Sequence, residues 1–96
     1  MKVIRLNGAK MVDKAITHAY LKEKLALPDY YGQNLDALWD CLSTDFSQKK
    51  IIINHPEIIT KNLGSYGRLV IKLFQEVAYE NKCIQVDIKY EPNVET

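Results

Sequence analysis

The spacing of apolar positions changes period several times along the chain, and each change predicts an element. An apolar-rich run from Lys2 to Leu6 predicts a first strand, closed by the turn signal Asn7-Gly8. From Met11 the period becomes helical, with Val12, Ala15, Ile16 and Ala19 forming a stripe and Asp13 near its start. This helix is expected to run to about Ala26, because Pro28 disfavours helical geometry at Leu27. Residues 28–32, Pro-Asp-Tyr-Tyr-Gly, read as an ordered loop. Leu35, Leu38 and Leu42 then predict a second helix over 34–43, with Asn34 as its N-cap. Lys49 to Ile53 is a compact β-branched run of the kind found in buried parallel strands. Pro56 suits the first turn of a short helix and Gly64 its end. A longer helix over 66–81 follows, with Ser65 as its expected cap and Leu69, Val70, Leu73, Phe74 and Val77 as its core stripe. Finally Ile84, Val86, Ile88 and Tyr90 alternate with polar residues, which predicts a half-buried strand.

The predicted order is β-α-α-β-α-α-β, an α/β fold. Strands separated by helices imply crossovers and hence a three-stranded parallel sheet, with helices over one main face. A chain of 96 residues is expected to form one domain over residues 1–90, and the polar tail 91–96 is expected to fray.

Charge matters locally rather than in bulk. Thirteen basic and twelve acidic residues leave a formal net charge of +1, which argues neither for nor against nucleic acid. Residues 25–48 are different: they carry four aspartates, the only Trp, one Phe and two Tyr, and no Lys, Arg or His. Asp36 and Asp40 lie four apart on the predicted helix and therefore share a face, at a cost of about 0.2–0.5 kcal/mol to an isolated helix. With no cation in the window, neutralisation has to come from the rest of the fold or from a partner. Tyr30, Tyr31 and Trp39 cannot all be core beside the leucine stripe, so one ring is expected in the core and at least one exposed near carboxylates. Rings beside charged groups are what the energetic centres of protein interfaces contain, and a negative patch steers a basic partner.

Other chemistries fit less well. Asp36 and Asp40 could act as acid and base, but no histidine lies near them in sequence. His18 and His55 read as surface or capping residues. No phosphate-cradling loop or metal-ligand spacing occurs, so neither an enzyme nor a cofactor is expected. The lysines are scattered over every element, and the rings sit among acids rather than bases, which disfavours nucleic acid as a partner. Cys41 and Cys83 read as buried free thiols. The N-terminal apolar run is too short for a signal peptide, and no stretch approaches a membrane span. A cytoplasmic protein, a monomer when free, is expected.

Residues 25–42, Leu-Ala-Leu-Pro-Asp-Tyr-Tyr-Gly-Gln-Asn-Leu-Asp-Ala-Leu-Trp-Asp-Cys-Leu, closely resemble the signature of the barstar family, intracellular inhibitors of secreted ribonucleases of the barnase kind. The resemblance extends more weakly over nearly the whole chain, through Asn7-Gly8, Phe74-Gln75-Glu76 and Cys83. It implies a barstar-like three-stranded parallel sheet and a helix-plus-loop that plugs a ribonuclease active site. On matching positions it implies that Asp40 enters the enzyme's phosphate site, that Asp36 pairs with basic groups beside it, and that Tyr30 covers the catalytic histidine. Asn34, Leu35, Trp39 and Ser43, with Thr44 beside them, would line the contact, and Glu76 would reach a basic residue at the rim. The implied partner is a basic, extracellular-type ribonuclease or a related toxin nuclease domain; the alternative is an immunity module of the same fold acting on another basic protein. The pattern departs from the family at residues 43–46, where Ser43, Thr44, Asp45 and Phe46 replace a Gly-Trp pair. Partner choice is expected to be set there. The net charge is also less negative than a strongly steered inhibitor would carry.

Overall fold

The structure is a computed structural model that describes residues 1–90. The expected fraying of 91–96 lies outside the described residues. Strand β1 (Lys2–Asn7) is followed by a single 3-10 turn, Gly8–Lys10, and helix α1 (Lys14–Leu25). Helix α2 (Leu35–Ser43), strand β2 (Lys49–Asn54), helices α3 (Pro56–Leu63) and α4 (Ser65–Glu80), and strand β3 (Ile84–Lys89) complete the order. The sheet runs β1-β2-β3 and is parallel throughout, with Ile4 opposite Ile51 and Ile51 opposite Val86. The predicted α/β order and the parallel three-stranded sheet are both present.

Alternation along the strands decides which face the helices cover. Ile4, Leu6, Ile51, Ile53 and Ile84 join the core with Leu38, Leu42, Val70, Phe74 and Val77 from the helices. Val3, Arg5, Lys50, Gln85 and Asp87 occupy the opposite face, around Ile52.

Several sequence expectations are corrected in detail. On α1 the buried residues are Thr17, His18, Leu21 and Leu25, whereas Val12 and Ile16 are about half exposed. Two full leucines and a hydrogen-bonded histidine outweigh a stripe made largely of alanine, so the helix is rotated away from the expected face. On α4 Leu69 is exposed and Ile71 is buried in its place. Ser65 is the first helical residue rather than the cap; Gly64 holds the cap position, with φ 61°, and no side chain caps the helix. Gly67 lets α4 approach α3, since a Cβ there would sit 2.5 Å from the Ile59 carbonyl oxygen. Strand β3 stops at Lys89, so Tyr90 is exposed beyond it rather than facing inward. Among the described residues no helix is long and apolar enough to cross a membrane.

Candidate interaction face

Helix α2 is held at both ends by side chains, which fixes what it displays. Asn34 Oδ1 accepts from Ala37 N at 2.8 Å, satisfying one of the orphan donors at the helix start, and its Nδ2 donates to the Gly32 carbonyl. At the other end Asn81 Nδ2 donates to the carbonyl oxygens of Leu42 and Asp45, at 2.8 Å each. Thr44 Oγ1 donates to the Asp40 carbonyl at 2.6 Å, so the predicted contact residue Thr44 also terminates the helix.

With Leu38 and Leu42 pinned in the core, the helical repeat of about 100° per residue settles the other directions. Leu35 and Trp39 lie at the core's margin and are half-buried, as is Ser43; Asp36 and Asp40 face outward and are exposed. Across a shallow groove stands α4. Leu35, Asp36 and Trp39 from α2 line it together with Leu69, Lys72, Leu73 and Glu76 from α4, enclosing about 330 Å³. A neighbouring depression of about 510 Å³ is bounded by Trp39, Gln75, Glu76, Tyr79 and Glu80. Of the sequence-predicted residues, Leu35, Asp36, Trp39 and Glu76 are thus brought together. Tyr30, Asn34, Asp40, Ser43 and Thr44 line neither groove and flank it along α2 and the loop before it.

The four aspartates of the acidic stretch divide into two classes. Asp45 accepts from Lys49 Nζ of β2 and from Ser47 N and Oγ. Burial pushes its carboxyl upward, but those hydrogen bonds and the lysine charge outweigh burial and hold it below the usual carboxylate range. Asp29 lies 3.9 Å from Lys22 Nζ, a solvent-exposed pair that contributes little. Asp36, Asp40 and Glu76 have no ion pair within 4.0 Å among the described residues. The fold ties down Asp45, sets Asp29 beside a lysine only at the limit of pairing distance, and leaves Asp36 and Asp40 open.

The loop before α2 is anchored by a buried polar network. His18 is 2% exposed; its Nδ1 lies 2.5 Å from the Tyr31 hydroxyl and its Nε2 lies 2.6 Å from that of Tyr66 on α4. This corrects the expectation of a surface or capping histidine. Nothing in its helical position betrays the tyrosines that satisfy it 13 and 48 residues away. Tyr31 is the core ring of the three, and Tyr30, its neighbour, is 87% exposed. One tyrosine therefore fastens the loop to α1 and α4 while the next is presented to solvent. His55 does occupy the cap position of α3, where Nδ1 lies 3.5 Å from Glu57, although its side chain makes no capping hydrogen bond.

Burial lowers the His18 pKa below its ordinary value of 6.5. A neutral ring donates from one nitrogen and accepts at the other, which suits two hydroxyl partners. The folded state then refuses a proton that the unfolded state accepts. The stabilisation is complete above the unfolded pKa and is lost as pH falls through that value towards the lowered folded one. Thermal unfolding is therefore expected to show stability declining from neutral pH to about pH 5, where histidine titrates. In His18→Gln that decline should flatten; an undiminished slope would contradict the assignment.

One feature was missed in the sequence: Leu69 and Lys72 form the far wall of the groove. Phe46, in the divergent segment 43–46, is 72% exposed and follows the far end of α2. The four-residue spacing of Arg68, Lys72, Glu76 and Glu80 was legible and marks the exposed row of α4. Cys41 and Cys83 are free and half-buried, and burial followed by the Asp40 charge pushes the Cys41 thiol up, away from reactive thiolate. Among the described residues no cluster of three or more His, Cys, Asp or Glu could hold a metal ion.

Residues 1–91 match the family model described as Barstar (barnase inhibitor). A Bacillus subtilis (strain 168) protein named "Putative ribonuclease inhibitor YrdF" is 40% identical over 84 residues, covering 85% of this chain and 91% of that protein.

Proposed function

The chain belongs to the barstar family, and from that premise we propose that it inhibits a ribonuclease by laying α2, the preceding loop and the α4 margin into the enzyme's basic active site. Its part is to block catalysis, not to perform it. The observation that carries this reading is the division of charges: Asp36, Asp40 and Glu76 are left without cationic partners while Asp29 and Asp45 have them. Uncompensated carboxylates beside the half-buried Trp39 and the exposed Tyr30 suit a cleft that binds phosphates with Arg and Lys.

The physical basis is substrate mimicry. Carboxylates offer an RNA-binding cleft the charge of a phosphate without a scissile bond, and charge-assisted hydrogen bonds to Arg are strong and directional. Asp40, furthest from the core edge, reaches deepest; Asp36 and Glu76 meet bases flanking the groove. Tyr30 covers the catalytic histidine, while Asn34, Leu35, Trp39, Ser43 and Thr44 complete the contact. The inhibitor works in the cytoplasm as a monomer. Mimicry makes inhibitor and active-site ligand mutually exclusive. Adding a nucleoside monophosphate that occupies the phosphate site of barnase should weaken the complex competitively, in a titration monitored by calorimetry. Simultaneous binding of both would overturn the proposed mode.

A further inference from the structure

The exposed row of α4 changes sign along its length. Arg68 and Lys72 are cations and Glu76 and Glu80 anions, each four residues from the next, and all four are exposed. This order opposes the helix dipole, which favours anions near the N-terminus and cations near the C-terminus. Pairing does not account for it either: Lys72 and Glu76 make no ion pair within 4.0 Å among the described residues. Lys72 stands on the ridge between two grooves. On one side lie Asp36, Trp39 and Glu76; on the other, Arg68, Thr60, Gln75 and Tyr90 bound a depression of about 380 Å³. Lys72 thus sits at the edge of the acidic face with no ion pair within 4.0 Å among the described residues, backed by Arg68.

We infer that Arg68 and Lys72 are specificity-determining residues of the interaction face, meeting carboxylates on the cognate ribonuclease and repelling ribonucleases that are basic throughout the facing surface. The inference rests on the proposed inhibitory function. A uniformly acidic ridge would accept any basic nuclease; a ridge of two signs accepts the one whose own charges are arranged in the complementary order. Discrimination by a built-in repulsion is a general device of specific interfaces.

Barnase serves as the basic probe, in titrations at low and high salt. Arg68→Gln with Lys72→Gln should tighten binding about threefold and Arg68→Glu with Lys72→Glu about tenfold, the gains shrinking in high salt because exposed charges are screened. Both positions are exposed on one helix, and circular dichroism checks that the variants fold. If the wild type shows no measurable binding, its appearance in the double reversal carries the inference. Unchanged, weaker or still absent binding in the double reversal overturns it. Asp40→Ala, run in the same series, reports on the function separately. Its loss of binding with an inert ridge overturns the ridge inference alone; an inert Asp40 with a responsive ridge overturns the proposed function and leaves the ridge as a contact.

Discussion

Replacing Asp40 by alanine is expected to weaken binding to a barnase-like ribonuclease by about 2–5 kcal/mol or more, the range for truncating one partner of a buried charge pair. The barnase–barstar complex is itself a reference system for these magnitudes. Two contributions add. The variant loses the carboxylate's own charge-assisted hydrogen bonds, and it strands the enzyme's cations in an interface from which water has been excluded. Little is lost from the inhibitor itself. Asp40 is exposed and has no ion pair among the described residues, and removing it relieves like-charge repulsion with Asp36 four residues earlier. Binding and stability should therefore separate: a much weaker complex, with a melting temperature equal to or slightly above the wild type. Calorimetry of binding and of unfolding on one preparation reads both. A large drop in melting temperature would assign Asp40 a folding role instead.

Tyr31→Ala is expected to give the opposite signature. Tyr31 is 5% exposed, packs in the core and reaches His18 through its hydroxyl. Truncating a buried aromatic costs about 3–5 kcal/mol. The same change leaves His18 Nδ1 buried without its partner and unfastens the loop that presents Tyr30. Stability falls first, and affinity falls with it because ordering the loop must then be provided on binding. Tyr31→Phe separates the two effects: it keeps the ring and removes only the hydroxyl, with an expected loss of about 1–3 kcal/mol from the unsatisfied histidine. Chemical denaturation of both variants checks the order. Equal losses for the two would mean that the hydroxyl, rather than the ring, holds the loop.

Much of this architecture was legible in the chain because it rests on local signals. Asn34 and Leu35, Leu38 and Leu42 placed α2 within a residue, since an N-cap and a narrow apolar stripe are both short-range features. Ile51, Ile52 and Ile53 located the central strand in the same way. The failures share a cause, which is dependence on residues distant in sequence. Ile16 and Leu69 sat in plausible apolar stripes, but the helices pack with Leu21, Leu25 and Ile71 towards the other elements and leave both about half exposed. His18 looked like a surface residue because its two tyrosine partners come from other elements. In the acidic segment the aspartates appeared equivalent. Only the fold reveals that Lys49 neutralises Asp45 and that no described cation does so for Asp36 or Asp40. The resemblance supplied Glu76 and the direction of insertion, neither of which spacing alone provides.

Whether the acidic face blocks a ribonuclease active site is decided by cleavage of a fluorescent RNA by barnase-like ribonucleases, followed while the protein is titrated in. Cleavage by a cognate enzyme is expected to fall linearly to zero at one inhibitor per enzyme, and Asp40→Ala to shift or abolish the end point. Undiminished cleavage across such enzymes at large molar excess of the wild-type protein would contradict the blockade.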